Sequence, residues 1–129
     1  MTKIELQFQD LQKAVFRLKE ATALPPTAIN RDATIQRFEF TFELCWKLMN
    51  ALVRENGIDV YGPRNTFRAA AQLDLIENPE EWFNFLQARN YTAHTYNEET
   101  AKWVYDLVCQ FPPLVEKFLE KVKEILAKE

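Results

Sequence analysis

The sequence predicts an all-α fold, an antiparallel up-and-down bundle of five to six helices that forms a single domain over residues 1–129. Only two glycines occur in the chain, whereas a β-rich fold normally needs more glycines in its turns. Apolar residues recur at spacings of three and four along most of the sequence, which is the helical period. No internal repeat or interdomain linker interrupts these segments, and their short connections favour antiparallel neighbours.

The first two helices are separated by a proline pair. Apolar residues at helical spacing predict the first helix over about residues 2–23, and Pro25 and Pro26 end it. The second helix is predicted over about residues 31–55, where Asn56 and Gly57 end it in the manner of a left-handed C-cap. This helix has two apolar rows: Ile35, Phe38, Phe42, Cys45, Met49 and Leu52, and then Phe40, Leu44, Leu48 and Ala51. An apolar surface this wide places a helix at the bundle centre or at a subunit contact, so we expect a homodimer.

Capping residues divide the second half of the chain. Pro63 suits the first turn of a third helix that reaches about Leu75. Asn78 is a good N-cap for a fourth helix, and Asn97 for a helix that carries Trp103, Val104, Leu107, Val108 and Phe111. Pro112–Pro113 is then expected to break or kink that helix before its amphipathic continuation over residues 114–126.

Composition narrows the classes of function. The net charge of −3 argues against a broad basic surface for duplex nucleic acid, but it leaves room for a local phosphate site of one or two cations. Cys45 and Cys109 lie in apolar stretches and suit reduced, buried thiols. No stretch has the apolar length of a signal peptide or a membrane span, so we expect a cytoplasmic protein. A single histidine makes a histidine-based metal site improbable, and no cofactor motif occurs.

The stretch RNYTAHTY contains the only histidine of the chain, His94, five residues after Arg89. On an unbroken helix this spacing turns the two side chains about 140° apart. They can converge only if the helix ends near residues 91–93 or if two copies meet across a dimer axis. An imidazole can then transfer protons near neutral pH, and a guanidinium matches phosphate oxygens. These groups would suffice to cleave RNA without metal, but a lone histidine is more often an ordinary residue at a helix end.

Two stretches of the chain resemble the HEPN-domain proteins of the HepT type. The octet matches their R-x4-H-x-Y signature through Arg89, His94 and Tyr96. The stretch IQRFEFTFELCWK, residues 35–47, resembles the second-helix signature of the nucleotidyltransferase substrate-binding branch of that superfamily. Trp82, seven residues before Arg89, also fits the pattern. The resemblance covers roughly residues 3–125.

The resemblance implies a HEPN-like helical homodimer and one of two roles. In the first, the protein is a toxin, a metal-independent ribonuclease with Arg89 and His94 of both subunits in a shared cleft. Its partner, an MNT-type nucleotidyltransferase, is then the antitoxin and adds AMP to Tyr96. In the second, the protein is a non-catalytic module that presents substrate to the nucleotidyltransferase. Neither role identifies the RNA target.

Several other residues have open interpretations. Asn90 either orients the imidazole or is a polar helix-end residue. Tyr96 could pack its ring rather than accept AMP, and burial would count against modification. The charged residues of the second helix are expected to form a solvated face, with the alternative that some line the cleft: Arg37, Glu39, Glu43 and Lys47. The three tryptophans are expected in core or dimer contacts, with base stacking as the alternative: Trp46, Trp82 and Trp103.

Overall fold

A computed structural model describes residues 1–129 as six α-helices and one 3₁₀ turn, with no β-strand. The helices are α1 (Lys3–Thr22), α2 (Ala28–Glu55), α3 (Gly62–Gln72), α4 (Pro79–Tyr91), α5 (Glu98–Val108) and α6 (Phe111–Ala127), and the 3₁₀ turn spans Thr92–His94. The predicted all-α class and helix number are therefore confirmed. None of these helices combines the length and the apolarity needed to cross a membrane.

Helix α2 lies at the centre of the bundle. It packs against α1, α3, α4 and α5, while α6 packs against α1 and α5. The first apolar row of α2 is buried, from Ile35 to Leu52. In the second row only Leu48 is buried, and Phe40, Leu44 and Ala51 keep part of their surface exposed. The first row therefore forms the core, and the second row is a surface that a second subunit could cover.

An aromatic cluster joins α2, α4 and α6. The ring of Phe111, at the start of α6, lies 5.1 Å from Phe38 and 4.8 Å from Phe85, centroid to centroid. Trp82 contacts the same ring edge-on at 5.7 Å. Phe111, Phe38 and Trp82 are essentially inaccessible to solvent. Such pairs contribute about 0.5–1.5 kcal/mol each beyond the burial of their area, so this cluster fixes α4 against α2. The placement of Trp82 in the core agrees with the sequence prediction.

Two left-handed residues end α2 and α3. Gly57, with φ of +80°, follows α2 as predicted, and the N–H of Ile58 donates to the carbonyl of Val53. After α3 the same arrangement uses Asp74, with φ of 59°, and the N–H of Leu75 donates to the carbonyl of Ala70. These are Schellman caps. The sequence predicted that this helix reaches about Leu75, but α3 ends at Gln72 because Asp74 adopts the left-handed conformation.

The prolines near the end of the chain begin a helix rather than break one. The sequence predicted a helix through Phe111 that breaks or kinks at Pro112–Pro113, whereas α5 ends at Val108 and α6 begins at Phe111. Both prolines thus lie in the first turn of α6, where the missing N–H would have no intrahelical partner. Helix α2 also begins earlier than predicted, since the hydroxyl of Thr27 accepts from the N–H of Asn30 and caps it.

Candidate active site at the α4–α5 junction

The end of helix α4 is determined by threonines that bond to the backbone. The hydroxyl of Thr92 donates to the carbonyl of Arg89 at 2.7 Å, and the backbone N–H of Thr92 also donates to that carbonyl. The hydroxyl of Thr95 donates to the carbonyl of Thr92 at 3.0 Å. Bonds to the residue three positions earlier compete with the α-helical ladder and tighten the last turn to a 3₁₀ turn. The helix therefore ends between Arg89 and His94, which is one of the two conditions that the sequence set for their convergence.

Asn97 closes the connection on the other side. Its side-chain oxygen accepts from the N–H of Thr100 and caps α5, as the sequence predicted. Its own N–H donates to the carbonyl of His94 at 3.2 Å. His94 therefore lies in a short turn with hydrogen-bonded ends, and its imidazole is exposed to solvent.

Arg89 is fixed by an acid of α2. Its Nη2 donates to Oε1 of Glu43 at 2.5 Å, and Oε2 of Glu43 accepts from the indole N–H of Trp46 at 3.0 Å. The two charged side chains are 35% and 32% exposed, so the pair is partly desolvated. The guanidinium also lies 5.9 Å from the ring centroid of Phe42. Because the carboxylate is held by two donors, it fixes the position of Arg89 and leaves other guanidinium N–H groups free for a ligand.

Glu43 was missed as a site residue. The sequence favoured a solvated face for the charged residues of α2, and Lys47, one turn after Glu43, forms no ion pair with it. The Glu43 carboxylate instead accepts a hydrogen bond from Arg89, which lies 46 residues later in the chain. The alternative, that some charged residues of α2 line the site, holds for Glu43. Trp46 belongs to the same hydrogen-bonded group.

Asn90 contacts Arg89 rather than His94. Its side-chain oxygen accepts from Nη1 of Arg89 at 3.4 Å, which is a weak bond, and the side chain is exposed. No hydrogen bond joins Asn90 to the imidazole. A role for Asn90 in orienting His94 gains no support from this chain, whereas its helix-end position agrees with the other interpretation.

Aromatic side chains surround His94. The imidazole lies 6.3 Å from the ring of Tyr91 and 6.2 Å from that of Tyr96, centroid to centroid. Tyr91 contacts Trp103 of α5 edge-on at 5.5 Å. Tyr96 is 87% exposed, which satisfies the requirement that a modifiable tyrosine be accessible. Trp103 is also exposed, so it is available for a subunit or ligand contact.

A salt bridge ties the start of α5 to the start of α2. Arg31, whose side chain is only 12% exposed, donates from Nη2 to Oε1 of Glu98 at 2.6 Å. The hydrogen bond from Arg31, and then its positive charge, lower the pKa of the Glu98 carboxyl. This contact holds the helix that follows His94. Near the end of α5, burial raises the pKa of the Tyr105 hydroxyl and of the Cys109 thiol. Cys109 is only partly buried, so the expectation of a buried thiol holds for Cys45 alone.

Arg89 and His94 thus lie close in sequence at one end of α4, with different neighbours. Arg89 is oriented towards α2 by Glu43, and His94 lies on the exposed turn between two tyrosines. No hydrogen bond joins the two side chains within one chain. A separate depression, lined in part by Asp74, Trp82 and Lys117, contains none of the motif residues.

Comparison with known proteins places the chain in a family. Residues 6–124 match the family described as nucleotidyltransferase substrate binding protein like. The chain belongs to this family. Among the curated proteins, the probable ribonuclease HepT of Haemophilus influenzae is 34% identical over 82 residues, which are 60% of this chain and 56% of that protein. The match therefore spans a little more than half the length of that relative.

Three solved structures of similar proteins have the same fold as this chain. A Thermus thermophilus protein is 34% identical with a TM-score of 0.82, over 86% of this chain and 97% of that one. The HI0074 protein of Haemophilus influenzae, whose structure is described as revealing the fold of a substrate binding domain of a nucleotidyltransferase, is 26% identical with a TM-score of 0.69. The match covers 93% of this chain and 96% of that one. A tri-AMPylated HEPN toxin of Shewanella oneidensis, in complex with an MNT antitoxin, has a TM-score of 0.79 at 19% identity. The match covers 96% of this chain and 99% of that one. The resemblance to HepT-type HEPN proteins is confirmed.

Proposed function

We propose that this protein is the toxin of a toxin–antitoxin pair, a homodimeric, cytoplasmic, metal-independent endoribonuclease that uses Arg89 and His94. The observation that carries the proposal is the end of α4 at Tyr91, between these two residues. Because no hydrogen bond joins the two side chains within one chain, the proposed site brings Arg89 of one subunit and His94 of the other together across the dimer axis. The similarity to a probable ribonuclease HepT supports the same activity.

The proposed reaction needs only groups that the RNA and the protein supply. His94 accepts the proton of a ribose 2′-hydroxyl, and the oxygen forms a bond to the adjacent phosphorus. The bond from phosphorus to the 5′-oxygen breaks, and that oxygen receives a proton from the His94 of the other subunit. Arg89 donates hydrogen bonds to the phosphate oxygens, where negative charge accumulates in the transition state. The products are a 2′,3′-cyclic phosphate and a 5′-hydroxyl.

Cleavage of RNA in EDTA tests this activity. The purified protein should cleave single-stranded RNA and leave cyclic phosphate ends, and a 2′-deoxy substitution at the cleaved position should block the reaction. His94→Ala should reduce the rate about 10²–10⁴-fold, the usual contribution of a general acid or base. Equal cleavage by the wild type and His94→Ala, or no cleavage by either, would contradict the proposal.

The proposed antitoxin is a cognate MNT-type nucleotidyltransferase that adds AMP to Tyr96. The exposure of Tyr96 supports this assignment, as does the similar fold of the tri-AMPylated toxin. Mass spectrometry after co-expression with the nucleotidyltransferase should detect additions of AMP mass on a peptide that contains Tyr96. Tyr96→Phe should abolish them, and Tyr91→Phe should not. Additions that persist in Tyr96→Phe would overturn the assignment.

A second candidate function is a non-catalytic subunit that binds substrate for a nucleotidyltransferase. The description of HI0074, 26% identical to this chain, favours it. In that case Arg89 and its partner Glu43 would bind a nucleotide or acceptor without bond cleavage. The RNA assay separates the two, because only the first predicts cyclic phosphate products in the absence of the partner enzyme.

A further inference from the structure

Helix α3 carries positive charge that no acid of the protein neutralises. Its residues include Arg64 and Arg68 but no aspartate or glutamate. Of the seven arginines in the chain, four pair with carboxylates: Arg31, Arg37, Arg54 and Arg89. Arg64 and Arg68 form no salt bridge, although the chain has more acidic than basic residues. The only side-chain hydrogen bond of either residue joins Arg68 to Asn65 at 3.3 Å.

Both guanidinium groups lie over one aromatic ring. The Cζ atoms of Arg64 and Arg68 are 4.8 Å and 5.4 Å from the ring centroid of Phe83 in α4. Phe83 is half-buried, and its ring lies 6.3 Å from that of the buried Phe67. Like charges one helical turn apart repel each other, so their convergence needs a compensating contact. The cation–π contacts with Phe83 provide this compensation and keep both guanidinium groups fixed at the surface.

An exposed aromatic ring extends this basic surface. Tyr61, directly before α3, is 71% exposed, and the guanidinium of Arg54 lies 5.2 Å from its ring centroid. Asp59 pairs with that guanidinium and accepts from the Tyr61 hydroxyl, so the ring adds a stacking surface and no net positive charge. Arginines interleaved with accessible rings are typical of proteins that bind single-stranded nucleic acid, where cations contact phosphates and rings stack on bases. An acidic protein partner would explain the cations but not the accessible tyrosine.

The surface adjoins the helices that hold the candidate active site. Helix α3 packs against α2, which carries Glu43, and against α4, which carries Arg89. Phe83 lies six residues before Arg89, about 9 Å along the axis of α4 and about 120° around it, at about 1.5 Å and 100° per residue. Single-strand binding modules engage about 4–16 nucleotides, so a strand bound at Arg89 is long enough to reach past it.

We infer that Arg64, Arg68 and Phe83, together called the α3 patch, form a phosphate-binding site for single-stranded RNA outside the cleavage site, with Tyr61 as a stacking surface for a base. The inference rests on the proposed ribonuclease function, because it assigns an extended contact to the same substrate. It requires no base sequence, since the arginines contact the backbone. The α3 patch therefore contributes to affinity for long RNA and leaves the chemistry at His94 unchanged.

Binding of a non-cleavable RNA tests the α3 patch directly. Fluorescence anisotropy with a 2′-O-methyl RNA of about 12 nucleotides measures Kd across a range of salt concentrations. The double variant Arg64→Gln/Arg68→Gln should bind about tenfold more weakly at low salt, because two phosphate contacts are lost. The slope of log K against log salt should fall in magnitude by about 1.4, at about 0.7 for each single-strand contact. Circular dichroism confirms that the variant is folded.

Arg17→Gln is a matched control for each single arginine variant. Arg17 is also exposed and unpaired, and its guanidinium lies 5.3 Å from the ring of Phe40, away from α3. Because Phe40 belongs to the surface of α2 that a second subunit could cover, Lys123→Gln on α6 is the control that decides: Lys123 is exposed and forms no salt bridge. This variant should leave Kd and the salt slope unchanged. An equal loss in Lys123→Gln and Arg64→Gln would show only a general effect of charge and would overturn the inference. Unchanged RNA binding by the double variant would also overturn the inference. This holds even if the double variant no longer binds a nucleotidyltransferase, because the α3 patch would then be a protein-binding surface.

Cleavage of a dinucleotide distinguishes this inference from the proposed function. A dinucleotide occupies only the Arg89–His94 site, so the double variant should cleave it with wild-type kcat/KM and cleave long RNA less efficiently. If the wild type cleaves neither substrate, the proposed function fails, while the binding titration still decides the α3 patch. If the double variant loses cleavage of the dinucleotide, the α3 patch is not a separate site.

Discussion

Glu43 shows how one side chain determines the environment of a candidate catalytic residue. Its carboxylate accepts from both Arg89 and Trp46, so the guanidinium is held in position without a ligand. Preorganised donors of this kind stabilise developing negative charge without reorganising during the reaction. The contact depends on the packing of α2 against α4, which explains why residue spacing along the chain could not predict it.

Removal of the Glu43 carboxylate should destabilise the fold measurably. We expect Glu43→Ala to lower the free energy of unfolding by about 1 kcal/mol, below the usual contribution of a hydrogen bond to a charged group because the pair is partly exposed. Lys47→Ala, one turn away and without an ion pair, should change it by less than about 0.5 kcal/mol. Urea denaturation measures both variants. Equal effects would show that the Glu43–Arg89 bond adds no stability.

The ends of helices show which residues could be predicted and which could not. Gly57 was predicted to cap α2 because glycine adopts positive φ without steric cost. Asp74 adopts the same conformation at the end of α3, but aspartate is compatible with many backbone states and gives no such signal. Asn78 and Asn97 were predicted as N-caps, and both accept the expected backbone hydrogen bond.

At the scale of elements, the connection between α4 and α5 is the feature on which the site depends. A break near residues 91–93 was one of two conditions for the convergence of Arg89 and His94, and the hydroxyls of Thr92 and Thr95 produce it. The break between α5 and α6 was placed too late, at the prolines themselves. Prolines suit the first turn of a helix as well as its end, and sequence alone did not decide between these positions.

The salt bridge between Arg31 and Glu98 should make the stability of α5 depend on pH. The pKa of Glu98 is lowered in the folded state, so its ionised form stabilises the fold above its unfolded pKa. This stabilisation is lost as the pH falls through the folded pKa. The wild type should therefore be more stable than Glu98→Gln near neutral pH, and the two should converge in acid.

Thermal unfolding at several pH values measures this difference. Glu99→Gln is the control, because Glu99 is the next residue, is exposed and forms no salt bridge. Its difference in Tm from the wild type should change little with pH. A Glu98→Gln difference that persists in strong acid would show that the carboxylate charge is not the cause.

At the scale of the whole molecule, the aromatic core holds the candidate site in place. Phe111 contacts rings from α2 and α4 at once, so it fixes the helix that carries Glu43 against the helix that carries Arg89. Seventeen aromatic residues, ten of them phenylalanine, indicate either an aromatic-rich core or rings that cover a partner surface. The sequence could not predict which rings meet, because those contacts join residues far apart in the chain.

Truncation of Phe111 should have a large effect on global stability. Phe111→Ala should lower the free energy of unfolding by about 3–5 kcal/mol, because it opens a cavity among buried rings. Phe16→Ala, at a position that is 65% exposed, should change it by less than about 0.5 kcal/mol. Chemical denaturation of both variants provides the measurement, and a small effect of Phe111→Ala would show that the core repacks around the lost ring.

The central claim is that Arg89 and His94 act in one site, across a dimer in which the half-exposed row of α2 is available as a contact surface. A double-mutant cycle on the rate of RNA cleavage in EDTA tests it most directly. Residues that act as a unit have strongly non-additive effects. The double variant Arg89→Gln/His94→Ala should therefore cleave about as slowly as the slower single variant. Single-variant losses that multiply in the double variant, or a His94→Ala protein with wild-type activity, would contradict the claim.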